Sequence, residues 1–267
     1  MAAGYETMLV TRPRPGIVLA TLDRPKRLNA ITFQMFAEFR LLCEEVEADR
    51  EARVLVVTGA GPGFCAGLDL DEAAKLPEMG VVEMLAGQER WVSGIVAFRK
   101  LSKPVIAAVN GPAAGAGMAL ALVADIRIAS PEARFNAAFV RIGLSGGDAG
   151  VSWMLPRIVG LSVAAEMLLT GEQVDAERAE RVGLVSAVVP AEELLDAAFE
   201  RAAVISANSP FGIRLTKRVL YENVDAPSLE AAMEIENRNQ VLATRTEDMI
   251  EALSAFREKR PPSWRDR

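Results

Sequence analysis

The chain contains no histidine, so proton transfer has to rest on Asp, Glu, Lys, Tyr or Cys, and His-based triads and His metal sites are excluded. Two segments carry residues that can hold a developing negative charge. Phe64-Cys65-Ala66-Gly67-Leu68-Asp69-Leu70 follows one apolar run, and Asn110-Gly111-Pro112-Ala113-Ala114-Gly115-Ala116-Gly117 follows another. Their small residues let a ligand approach the backbone, and each segment enters a helical pattern, where the first N–H groups lack intrahelical partners. Two such groups converging on one oxygen make an oxyanion hole. Close helix packing accounts for the same small residues equally well. Other matches carry no chemistry. Gly143-Leu144-Ser145-Gly146-Gly147 fits a nucleophile elbow but has no histidine base, and reads as a turn. Gly61-Pro62-Gly63 with Gly67 lacks the dinucleotide spacing, and no Gly-Lys-Ser/Thr follows a glycine-rich loop.

The elements that must position these loops alternate between strand and helix patterns. Gly16 to Leu22 reads as a strand, and Thr32 can cap a helix in which Phe33, Phe36, Phe39 and Cys43 recur at helical spacing up to about Asp49. Val54 to Thr58 is a β-branched run suited to a strand buried on both faces. Pro104 to Val109 is a further strand, Asn110 to Ala114 a turn, Gly115 to Val123 an uncharged helix and Asp125 to Ala129 another strand. From Val151 onward helices dominate: 151–159, 161–169, 175–181, 191–207, 211–222 and 229–257, with a short strand near 184–189. This predicts an α/β core over residues 1–200 and a helical oligomerisation region over 201–267.

Composition narrows the function classes. In 267 residues, 51 % hydrophobic content predicts a large core, and 30 basic against 36 acidic side chains give a net charge of −6, which argues against nucleic acid as a partner. Cys43 and Cys65 are too few for a disulfide framework, so a reducing, cytoplasmic setting is expected. Pro104 to Ala124 is uncharged and long enough to span a bilayer, but Asn110-Gly111-Pro112 interrupts it and no membrane association is expected.

The ordered series Asp23-Arg24-Pro25-Lys26-Arg27-Leu28-Asn29-Ala30, Phe64 to Leu70, Lys103 to Gly111 with its Gly-Ala-Gly, and Ala124 to Ala129 resembles the enoyl-CoA hydratase/isomerase (crotonase) family. Leu155-Pro156-Arg157-Ile158-Val159-Gly160, Ala179 to Val185 and Ala255 to Arg260 extend the likeness over nearly the whole chain. The resemblance implies an α/β fold of the crotonase type: a spiral of ββα units with a helical C-terminal trimerisation region, assembled as trimers or hexamers. It also implies an acyl-CoA substrate, with coenzyme A entering as part of the thioester and no separate cofactor or metal. Carried over by position, the backbone N–H groups of Ala66 and Ala116 would hold the thioester oxygen. Lys26 and Arg27 would meet the CoA phosphates and nucleotide, and Gly67, Leu68, Asp69 and Leu70 would follow the adenine and pantetheine path, with Leu28, Gly115 and Phe139 also in the binding site; the Asp69 side chain itself reads as a brace for its loop. Phe256 and Lys259 would reach the CoA pocket of a neighbouring subunit.

The departures from the family pattern bear on the reaction. The two glutamates with which hydratases activate water correspond here to Ala119 and Phe139, neither of which transfers a proton. One acid remains nearby, Asp148 in Gly146-Gly147-Asp148-Ala149-Gly150. Its position resembles that of the proton-transferring aspartate of dienoyl-CoA isomerases and the nucleophilic aspartate of 4-chlorobenzoyl-CoA dehalogenases. A helix N-cap is the alternative role. The expectation is an acyl-CoA isomerase or hydratase with Asp148 as acid/base, one carboxylate suiting isomerisation better than hydration. Covalent attack by Asp148, or a catalytically silent acyl-CoA binding protein, are the rivals.

Overall fold

A computed structural model describes residues 4–267. Among them, nine strands form two layers: β1 (Met8–Arg14), β2 (Ile17–Leu22), β3 (Val54–Gly59), β4 (Val105–Val109), β5 (Pro112–Ala114), β6 (Ile126–Ala129), β7 (Arg134–Asn136), β8 (Val174–Asp175) and β9 (Ala187–Val188). The main sheet has the order β1-β2-β3-β4-β6-β9 and is parallel except for the antiparallel β1–β2 pair. The smaller sheet has the order β5-β7-β8. Eleven α-helices accompany them: α1 (Phe33–Ala48), α2 (Leu70–Ala73), α3 (Val81–Lys100), α4 (Ala116–Val123), α5 (Val151–Val159), α6 (Leu161–Thr170), α7 (Ala176–Arg181), α8 (Leu194–Ser206), α9 (Pro210–Asn223), α10 (Leu229–Ala243) and α11 (Glu247–Glu258).

A repeat organises the core. β4 lies in the main sheet, β5 in the small one, and α4 follows; β6, β7 and α5 repeat the plan. One step earlier, β3 is followed by Cys65, which bridges in parallel to Ala113 of β5, and then by α2 and α3. Each repeat therefore ends its second strand where a helix begins, next to the same point of the preceding repeat. This is the expected spiral of ββα units.

Both faces of β3 are buried, as its β-branched run predicts. Val54 and Val56 face a cluster with Ile106, Ile128 and α8, while Leu55 and Val57 face the larger core under α1, α3 and α4. The alternation is the strand period of two expressed on a sheet covered on both sides. α8 covers the first face with Leu194, Ala198, Phe199 and Ala202, spaced to share one side of a helix. Thr32 caps α1 as expected, its side chain accepting the Met35 N–H at 3.1 Å.

Several expectations need correction. Residues 229–257 form two helices, α10 and α11, because Thr246 accepts the Met249 N–H at 3.2 Å and starts a new helix. Residues 110–114 are not only a turn, since β5 lies within them. The 184–189 strand shrinks to β9. Strand β1 was not anticipated: its mostly exposed outer residues and Pro13 hide the pattern, and it is held by pairing to β2 at the sheet edge. Residue 200 falls inside α8, which packs on the sheet. Residues 104–124 divide into β4, β5 and α4, and among the described residues no helix is long and apolar enough to cross a membrane.

Candidate active site

Two glycines bring the loop after β3 against the start of α4. A Cβ on Gly117 would lie 2.0 Å from the Cys65 carbonyl oxygen, and one on Gly67 would lie 2.8 Å from the Ala114 oxygen and 3.6 Å from the Ala116 nitrogen. Both positions require glycine, Gly67 also because its φ is +96°. The parallel bridge between Cys65 and Ala113 joins the same two segments just before these glycines.

The direction of the amides corrects one half of the expected oxyanion hole. The Ala66 N–H donates to the Leu28 carbonyl at 2.9 Å and is not available to a ligand. Further along, the Ile31 N–H donates to Gly67 and the Asp69 N–H donates to Ile31. In a parallel bridge the residue between the two bonded groups turns its own N–H to the other side, so the Leu68 N–H points away from Ile31. Neither Leu68 N–H nor Ala116 N–H has an acceptor among the described residues. Ala116 is the first residue of α4, where an unpaired N–H and the positive end of the helix dipole are expected. Leu68 and Ala116 thus carry the unpaired amides of this region, whereas the Ala66 amide expected to hold an oxygen is already engaged.

Asp69 secures this loop from inside. It is 2 % exposed, its carboxylate lies 2.7 Å from the Arg24 guanidinium, and it accepts the Asp71 N–H at 2.9 Å. Burial pulls the Asp69 carboxyl up, but the Arg24 and Asp71 hydrogen bonds and the Arg24 and Arg27 charges outweigh it and hold it below the ordinary carboxylate range. A carboxylate so enclosed and paired braces the loop. Cys65, in the same loop, is fully enclosed, and burial pushes its thiol up to about 12, which excludes it as a nucleophile.

Lys26 and Arg27 sit on an exposed 3-10 turn, and Arg27 pairs with Asp71 at 3.0 Å. The Leu28–Ala66 and Ile31–Gly67 bonds fasten that turn to the Leu68 loop, so Lys26, Arg27, the half-exposed Leu28 and the exposed Leu70 share one border of the site. On the other side the Phe139 ring covers Gly115, 3.5 Å from where a Cβ would stand. Ala119 is fully buried in α4. Phe256 is 85 % exposed on α11 and Lys259 ends that helix. Trp91 is buried, its ring stacked 4.0 Å from Phe33, and so belongs to the core.

Asp148 lies between Phe139 and α5, which packs against α4. It does not cap α5; Gly150 occupies that position, and Ala149 and Gly150 are both in the left-handed region, with φ of +47° and +80°. One carboxylate oxygen accepts the Ala149 N–H at 2.7 Å and the Gln88 side-chain amide at 2.6 Å. Gln88, on α3, is a residue that sequence reasoning passed over, because nothing in its local pattern sets it apart. Glu89, its neighbour, is exposed. Ser145 accepts the Gly147 N–H at 3.1 Å in a surface turn, as the rejected nucleophile motif predicts.

The family model for enoyl-CoA hydratase/isomerase matches residues 13–267. A Mycobacterium tuberculosis protein named probable enoyl-CoA hydratase is 43 % identical over 275 aligned positions, covering 100 % of this chain and 96 % of its own length. The 1,2-epoxyphenylacetyl-CoA isomerase of Escherichia coli is 38 % identical, with 96 % and 97 % covered. The crystal structure of a probable enoyl-CoA hydratase/isomerase from Mycobacterium abscessus superposes with a TM-score of 0.90 at 41 % identity, covering 98 % of this chain and 100 % of that one.

Proposed function

This chain belongs to the enoyl-CoA hydratase/isomerase family and is an acyl-CoA enzyme of that type; on that premise we propose that it moves a double bond in an unsaturated acyl-CoA. The observation that supports the reading is the pair of unpaired amides, Leu68 and Ala116, in a chain where positions 119 and 139 hold no carboxylate and Asp148 is the acid left in the family's pattern.

The chemistry balances with these groups. The thioester oxygen accepts from the Leu68 and Ala116 N–H groups, which stabilise the charge it gains when the α C–H bond breaks. Asp148 takes that proton, and the C–H electron pair becomes the enolate double bond. The same carboxylic acid then returns the proton at the γ carbon, the double bond moves into conjugation and the carbonyl re-forms. One carboxylate suffices, and water is not consumed. Hydration needs a group to activate water and a proton for the α carbon, for which the alanine and phenylalanine offer nothing.

The alkyl stems and charges of Lys26 and Arg27 suit the CoA nucleotide and phosphates, with Leu28, Gly67 and Leu70 along the pantetheine arm. The assembly is a homotrimer or a dimer of trimers, in which the exposed apolar residues of α10 and α11 meet a neighbouring copy and Phe256 and Lys259 reach its CoA site. Sedimentation equilibrium giving a monomer at micromolar concentration would refute that assembly.

The test of the reaction is turnover of 3-hexenoyl-CoA and 2-hexenoyl-CoA in deuterated buffer, followed by thioester absorbance and mass, for the wild type and Asp148→Asn. Conversion of the 3-enoyl to the 2-enoyl thioester without gain of water, abolished by Asp148→Asn, is expected. Water addition by the wild type, or full turnover by Asp148→Asn, overturns the proposal. Acyl-CoA binding with no turnover and no deuterium uptake would mark a silent binder.

A further inference from the structure

We propose that Gln88 is the positioning residue of Asp148, clamping one carboxylate oxygen so that the other is the proton carrier. The inference rests on the reading of Asp148 as acid/base and goes beyond it in assigning the atom and the residue that selects it.

Asp148 and Gln88 are 60 residues apart in sequence and 2.6 Å apart in space. A carboxylate has two oxygens and about four lone-pair sites. Here Oδ1 takes both donors, the Gln88 Nε2 and the Ala149 N–H, whereas Oδ2 takes none among the described residues. The terminal torsion of an aspartate is soft and nearly two-fold, so one short-range donor from the next residue leaves the oxygens free to exchange. A second donor, arriving from a different element, removes that freedom.

Both anchors of the clamp are stiff. The Asp148 main chain is held by the Val151 N–H, which donates to its carbonyl at 2.9 Å, and by the left-handed Ala149-Gly150 pair, a conformation that surrounding structure must enforce for alanine. Gln88 stands on α3, which is seated on α1 by the Phe33–Trp91 stack and by Gly94, where a Cβ would come within 2.3 Å of the Phe36 oxygen. A site group held from regular elements keeps its geometry better than one on a loop alone. The donor is also uncharged. A lysine or arginine here would bind Asp148 as an ion pair, whereas a carboxamide orients it by a hydrogen bond alone.

The test uses the full-length protein with 3-hexenoyl-CoA, comparing Gln88→Leu, Gln88→Glu, Asp148→Asn and the double variant Gln88→Leu/Asp148→Asn. Gln88→Leu should lower kcat by roughly 10- to 100-fold with KM changed less than about threefold, since the loss falls on the transition state. Gln88→Glu, nearly the same shape but without the donor and with a repelling charge, should fall further. In the Asp148→Asn background the leucine should add nothing, the non-additivity expected of groups acting through one another. Circular dichroism of each variant verifies the fold. If Gln88→Leu and Gln88→Glu keep kcat within about twofold while Asp148→Asn abolishes turnover, the positioning role is overturned and the base assignment stands. A loss in the leucine variant that the glutamate does not share also overturns it, because shape rather than the donor would then matter. Full turnover by Asp148→Asn removes both.

Discussion

The Arg24 guanidinium lies 2.7 Å from the Asp69 carboxylate, one residue beyond the Leu68 amide in the chain. This ion pair, with its carboxylate enclosed, tethers the loop that in the proposed mechanism presents half of the oxyanion hole. Replacing Asp69 by Asn keeps the shape but removes the charge, and should cost about 1–3 kcal/mol of stability at pH 7, with a loss of kcat from a loosened Leu68. Because the Asp69 carboxyl is held below its ordinary value, the unfolded chain binds more protons than the native one between that lowered value and about 3.9. Its stabilisation is complete above about pH 4 and is lost as pH falls through the native value. Acid unfolding followed by fluorescence should therefore be steeper in the wild type than in Asp69→Asn.

Ala116 allows a backbone amide to be deleted by substitution. It is the first residue of α4, a position where proline is tolerated because the missing N–H has no intrahelical partner. Ala116→Pro should fold and lose about 100- to 1,000-fold in kcat. Near-native activity would remove this amide from the mechanism.

Gly67→Ala should be worse than a small cavity-filling change. Its φ of +96° and a Cβ 2.8 Å from the Ala114 oxygen force the loop away from β5. Thermal denaturation should show a lower Tm, and 3-hexenoyl-CoA turnover should fall below detection.

Lys217 pins α9 to the core by an ion pair of 2.8 Å with Asp125, which also accepts the Val105 N–H at 2.6 Å and the Tyr221 hydroxyl. Both side chains are largely buried. Removing one partner leaves an uncompensated charge, so Lys217→Met should destabilise by about 3–5 kcal/mol. Denaturant titration measures this, and activity per folded molecule should be retained.

Both thiols are enclosed, and burial pushes Cys43 and Cys65 each up to about 12. Neither should react with a thiol reagent at pH 8 until the protein is unfolded. Above about pH 8.5 the unfolded chain releases these protons and the native one does not, so stability should fall as pH rises toward 12. Substituting both with alanine should flatten that alkaline limb.

Much of this molecule was legible along the chain. The periodicity of α1, the β-branched run of β3 and the uncharged α4 follow from side-chain chemistry that acts over a few residues, and so does the cap at Thr32. The ordered motifs carried the family, and the substitutions at Ala119 and Phe139 already pointed to one remaining acid. The second Gly-rich loop could be read as the start of a helix, where first N–H groups are left unpaired, while Ala116 within it was singled out by the resemblance.

Other features required the third dimension. Whether Ala66 or Leu68 offers its N–H depends on which way each peptide turns, and that is set by the Leu28 and Ile31 bonds and the left-handed Gly67 rather than by residue type. The break between α10 and α11 at Thr246 went unseen because the apolar spacing runs through it. Amino-acid sequence by itself determined the local elements, the absence of histidine chemistry and the family. Tertiary structure alone decided which amides are left unpaired, that Asp69 is enclosed, and that Gln88 meets Asp148, because these depend on the direction of backbone groups and on contacts between segments distant in the chain.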